Sequence, residues 1–163
     1  MLDENGGTDI YQLSPSQIVI ESGKENIRCV RLTSGGLIRW YASCCNSAIG
    51  NTLGSAKISF VGMPHTFMDH QGDGRKRDEV LGPCRLSIYG CYGKGKLPLG
   101  VHPKVPFRFF VRVFCFIVSS SFKKKNFPSP FFDETSGKPV VEPKILSDDQ
   151  RERLFVDNGL RAN

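Results

Sequence analysis

Four consecutive residues, Thr33-Ser34-Gly35-Gly36, restrict this chain more than any other stretch. They separate two segments suited to extended backbone, residues 27–32 and 37–42. A short run of turn-forming residues ending in paired glycines is a tight hairpin signal. Similar punctuation recurs at Ser14-Pro15-Ser16 and at Ser22-Gly23-Lys24-Glu25-Asn26. Further strand candidates lie at residues 9–13, 17–21, 57–61 and 85–89. With 17 glycines and 10 prolines in 163 residues, a long helical bundle is excluded. The expectation is a mainly β, α+β fold in one domain over residues 1–163. It has a β-rich core at about 8–90, a basic loop and apolar helix at about 91–125, and an extended segment with a short helix at about 126–163.

Residues 106–118 depart from the strand pattern. Arg108, Arg112, Cys115 and Ser119 fall at i, i+4, i+7 and i+11, a narrow polar stripe on a helix. Phe107, Phe110, Val111, Phe114, Ile117 and Val118 cover the opposite face. Pro106 suits the first turn of that helix, and Lys123-Lys124-Lys125 suits its C-terminal end. The expectation is a core helix over 106–120 with Phe107, Phe110 and Phe114 buried. The competing reading is a helix lying in a membrane interface. At about 20 Å it is too short to cross a bilayer core of ~30 Å. A second helix, over residues 147–156, is signalled by a capping box with Ser147 as N-cap and Gln150 three places on.

The net charge of +6 is concentrated in the middle of the chain. Residues 71–125 hold 12 Lys and Arg against 3 Asp and Glu, whereas the flanking segments are slightly acidic. Arg75-Lys76-Arg77 and Lys123-Lys124-Lys125 are its densest points. Such clusters attract phosphate-bearing polymers or anionic lipid, although solvated loops and helix ends have the same composition. Aromatics are not interleaved with basic residues in a stacking pattern, so no specific nucleic-acid partner is expected. No apolar run is long enough for a transmembrane segment, and the polar start Asp3-Glu4-Asn5-Gly6-Gly7 is unlike a signal peptide. A cytoplasmic location is therefore expected, with the oligomeric state left open.

Six cysteines without a secretory segment speak against a disulfide framework. Cys29 and Cys115 lie in apolar patterns and read as core. Cys44-Cys45 is the one pair placed for chemistry, at the end of a strand and before a turn. Thiolates are good zinc ligands, and a turn aims its amide groups at the sulfurs. Adjacent cysteines nevertheless supply at most half of a closed four-ligand site. His65 and Asp69, with His70 beside them, offer a second set of metal-ligand types at helical spacing, but neighbouring glycines favour a surface loop. Cys84, Cys91 and His102 match no known ligand spacing.

The run Arg39-Trp40-Tyr41-Ala42-Ser43-Cys44-Cys45-Asn46-Ser47, with Gly6-Gly7-Thr8-Asp9-Ile10-Tyr11-Gln12, Gly50-Asn51-Thr52, Phe60-Val61-Gly62, Val80-Leu81-Gly82-Pro83 and Ser129-Pro130-Phe131-Phe132-Asp133, resembles an uncharacterised bacterial and fungal branch. That branch is related to the glutathione-dependent formaldehyde-activating enzyme and centromere protein V superfamily. The resemblance implies small antiparallel sheets of β-tent (Mss4-like) type around zinc. It also implies glutathione or a thiol conjugate as partner, and carbon–sulfur lyase chemistry in complete members. Cys45-Asn46 matches the second cysteine and following glycine of the family's later C-x-x-C-G pair. The first cysteine of that pair falls on Ala42, so Cys44 is expected to substitute from the next position.

The family's N-terminal cysteine clusters have no counterpart here, and neither C-x-C nor C-x-x-C occurs in the chain. The expectation is an incomplete or degenerate member without catalytic residues, carrying zinc weakly or not at all at Cys44 and Cys45. The alternative is a non-catalytic binding or scaffold domain that uses its basic section for anionic partners.

Overall fold

The computed structural model describes residues 3–65 and 77–157. Its six strands are β1 (Ile10–Leu13), β2 (Ile27–Arg31), β3 (Ile38–Ala42), β4 (Ser47–Thr52), β5 (Val61–Pro64) and β6 (Lys144–Ile145). They form one sheet in the order β1-β5-β4-β3-β2-β6. The pairs β2–β3, β3–β4 and β4–β5 are antiparallel, whereas β6 joins β2 in parallel. The fold is thus α+β and mainly β, but built on a single mixed sheet rather than several small antiparallel ones. The parallel edge arises because β6 returns from a long C-terminal excursion rather than from a hairpin. Helices are α1 (Arg77–Leu81), α2 (Phe107–Phe122) and α3 (Asp148–Asp157).

The chain divides into two compact units. One comprises Met1–Tyr11 with Pro64–Cys115, the other Gln12–Met63 with Phe116–Asn163. Among the described residues, every buried aromatic or branched aliphatic side chain belongs to the second unit. Period-2 placement puts Ile27 and Cys29 of β2, and Ile38 and Trp40 of β3, on the buried side. Trp40 stacks against Phe131 with ring centroids 5.0 Å apart and meets Phe132 edge-on at 6.2 Å. Its indole Nε1 donates to the Thr52 hydroxyl at 2.9 Å, which satisfies both buried polar groups. Loss of such an acceptor costs about 1–3 kcal/mol. Gly50 lies on β4 beside β5, where a Cβ would approach Val61 Cγ1 to 3.2 Å.

Three strand expectations are corrected. Residues 17–21 do not pair, because Gln17 Oε1 accepts from the Ser14 amide at 2.9 Å and closes a 3-10 turn over Pro15–Gln17. Val19 beyond it is 80% exposed and has no face to bury. Strand β5 begins only at Val61, since the Ile58 amide bonds Ser55 and the Phe60 amide bonds Ile58 in a tight turn. Residues 85–89 are irregular, held by a hydrogen bond that the His102 amide donates to the Ser87 carbonyl. Strand β4, conversely, escaped the pattern: Ser47-Ala48-Ile49-Gly50-Asn51-Thr52 has turn-like composition. It becomes a strand because β3 and β5 supply partners on both sides.

Both long helices form where expected. Helix α3 is capped as its sequence requires, with the Ser147 amide donating to Gln150 Oε1 at 3.1 Å and the Gln150 amide donating to Ser147 Oγ at 3.3 Å. Helix α2 ends in a Schellman motif: Lys125 N bonds Ser120 O, Lys124 N bonds Ser121 O, and Lys124 takes φ 52°. Its burial is not the expected one. Phe107, Phe110 and Phe114 are exposed, and the inward positions are Phe109, Val113, Phe116 and Ser120. The stripe is rotated because the helix is apolar almost all round, so its sequence does not specify which side turns inward.

Candidate functional site

Strands β3 and β4 carry the cysteine pair at their connection. Ala42 pairs with Ser47, leaving Ser43, Cys44, Cys45 and Asn46 as the loop. The Cys45 amide reaches the Ala42 carbonyl at 3.4 Å, which folds the first part into a β-turn. Asn46 then takes φ 55°, a left-handed conformation that asparagine tolerates better than most residues. The base of the loop is pinned by Ser43, whose amide and hydroxyl both donate to the Asn26 carbonyl, at 2.9 and 3.0 Å. Just beyond the loop the β3–β4 register shifts, from Trp40 opposite Gly50 to Tyr41 opposite Ala48. Ile49 is therefore the extra residue of a bulge, a feature that re-aims the end of a strand.

Both thiols are exposed and free. Cys44 Sγ lies 3.7 Å from Cys45 Sγ, and Cys45 Sγ lies 3.2 Å from Ser47 Oγ. These contacts separate the two groups electronically. The Ser47 hydroxyl, followed by the Ser47 amide, stabilises the Cys45 thiolate and lowers its pKa below the usual cysteine value. The Cys44 thiol is raised, chiefly because it hydrogen-bonds to Cys45 and would repel a neighbouring thiolate. Cys45 is thus the first nucleophile or soft-metal donor of the pair.

The thiol separation suits a metal. Zinc–sulfur bonds of about 2.3 Å in a tetrahedron place two sulfurs about 3.8 Å apart. Two donors are present in that relation; among the described residues no group of three or more His, Cys, Asp and Glu side chains is placed to hold an ion. Cys29 is not a further donor: it is buried, its thiol donates to the Val141 carbonyl at 3.2 Å, and burial pushes its pKa up to about 11.

Other expected residues lie elsewhere. Cys84, Cys91 and Cys115 are exposed; for Cys115 this overturns a core assignment, since it lies on the outward side of α2. His65 Nδ1 is 3.5 Å from Asp9 Oδ2. Asp69, His70, Arg75 and Lys76 fall outside the described residues, and Arg77 opens α1. Sequence reasoning missed Ser47, and it had Asn46 only as the match to the family's glycine, without its positive φ. Their signal was present in retrospect: a hydroxyl two places after a cysteine, and a residue tolerant of positive φ between them.

A protein-family profile described as a family of unknown function (DUF6151) matches residues 1–144. No curated protein and no solved structure matches the chain.

Proposed function

Since the chain belongs to the family of unknown function DUF6151, its role has to be argued from its own site, and we propose that it is a non-catalytic, thiol-bearing relative of the glutathione-dependent formaldehyde-activating enzyme and centromere protein V superfamily. On this reading the sheet is a variant of the β-tent (Mss4-like) type, and the β3–β4 turn is a surviving half of a zinc knuckle. The observation that carries it is Asn46. In the resembling motif a glycine follows the second cysteine, and here the residue after Cys45 sits at φ 55°, the backbone state for which glycine is the usual choice.

Cys44 and Cys45 would hold zinc with two thiolates, leaving coordination positions for donors from outside the pair. Such a centre favours another soft donor, so glutathione or a thiol conjugate is its partner by class. The chain's own contribution is to bias Cys45 toward its thiolate through Ser47 and to hold both sulfurs at the tip of a pinned hairpin. Six free cysteines, five of them exposed, are what supports reading the protein as one of a reducing, cytoplasmic compartment.

The test is a rate measurement with formaldehyde and glutathione, with and without added zinc. The expected result is no acceleration over the uncatalysed adduct formation. Zinc-dependent acceleration that Cys45→Ser abolishes would overturn the non-catalytic reading.

A further inference from the structure

Helix α2 is apolar on both of its sides. Phe109, Val113 and Phe116 are half-buried, yet Phe107, Phe110, Val111, Phe114 and Phe122 are 79%, 58%, 46%, 66% and 86% exposed. At 100° per residue these five fall within one arc, with Arg108 and Arg112 along one border. A helix that is apolar all round is ordinarily buried all round. The uncovered face presents roughly 600 Å² of mostly aromatic surface. That is at the upper end of what the largest apolar patch of a monomer reaches, and such patches are often functional.

The charge carried along this stretch of the chain points to what covers it. From residue 80 to residue 132 the chain holds nine Lys and Arg and no Asp or Glu. Lys104 precedes the helix, and Lys123, Lys124 and Lys125 follow its last turn. A second copy would bring the same uncompensated positive charge to the interface. An anionic surface is attracted instead, and aromatic side chains bordered by arginines suit the boundary between headgroups and acyl chains. No helix among the described residues is long and apolar enough to cross a membrane. The sixteen residues of α2, about 24 Å in length, would lie along a bilayer rather than through it.

We propose that the outward face of α2 is a peripheral membrane-binding surface for anionic lipid, with Phe107, Phe110, Phe114 and Phe122 inserting and Arg108, Arg112 and Lys123 to Lys125 pairing with headgroups. This stands on the helix alone and is independent of the thiol site.

The test is co-sedimentation of the full chain with vesicles of phosphatidylcholine containing phosphatidylserine, and with phosphatidylcholine alone, at low and high salt. The expected result is binding to the anionic vesicles that high salt weakens without abolishing. Phe110→Glu/Phe114→Glu lowers it at least tenfold, and so does Lys123→Gln/Lys124→Gln/Lys125→Gln. Both sets change exposed residues, and an unaltered circular dichroism spectrum verifies the fold. Absence of binding to anionic vesicles overturns the proposal. Binding that the phenylalanine variants retain, or that disappears fully in high salt, also overturns it by showing charge attraction without insertion. A self-associated chain that the phenylalanine variants render monomeric overturns it in favour of a second copy as the occupant.

Discussion

Cys45 Sγ lies 3.2 Å from Ser47 Oγ, and this contact, with the one between the two sulfurs, makes two adjacent exposed thiols chemically unequal. Ser47 lowers the Cys45 pKa, while the Cys45 sulfur raises that of Cys44. Alkylation followed by peptide mass analysis across pH 6 to 10 should therefore label Cys45 first, with its midpoint below that of Cys44. Ser47→Ala should narrow the gap between the two midpoints, leaving the part that the Cys44–Cys45 contact maintains. Equal profiles in the native chain would show that the serine contact does not bias the pair.

Asn46 tests the turn itself. Its φ of 55° is the conformation that a β-branched residue tolerates worst. Asn46→Val should destabilise the fold by about 1–2 kcal/mol, whereas Asn46→Gly should be neutral or slightly stabilising. Urea unfolding midpoints measure both. A neutral valine would mean that the loop has another conformation within reach.

Cys29 gives the alkaline behaviour. Its thiol is raised to about 11 by burial, with Arg31 opposing the shift. A thiol raised in the folded state contributes stability that is complete below its unfolded pKa and is lost as pH climbs through the folded value. Stability should consequently fall between about pH 9 and pH 11, and Cys29→Ala should flatten that decline while lowering stability at neutral pH. The measurement is the thermal midpoint as a function of pH. An unchanged slope in Cys29→Ala would assign the alkaline loss to other groups.

What the sequence disclosed follows its local signals. The Thr33-Ser34-Gly35-Gly36 hairpin, the Ser147–Gln150 cap and the extent of α2 are written in turn chemistry, capping residues and periodicity, each acting within a few positions. Strand β4 was hidden because its pairing comes from strands on both sides rather than from its own composition. The facing of α2 was hidden for a different reason: an amphipathic reading needs a contrast between faces, and phenylalanine and valine occupy both. At the site, the cysteine pair was legible as ligand types. The bulge at Ile49, the left-handed Asn46 and the Ser47 contact are register effects that spacing does not encode.

The central claim is that Cys44 and Cys45 form half a metal site, and zinc binding tests it most directly. The reduced full chain is titrated with zinc in competition with a chromophoric chelator, and metal content is then determined after dialysis. Two thiolates should hold the ion weakly, leaving less than one zinc per chain after dialysis, and Cys45→Ser should remove what is held. One zinc per chain that survives the chelator, or zinc retained by Cys44→Ser/Cys45→Ser, would contradict the account.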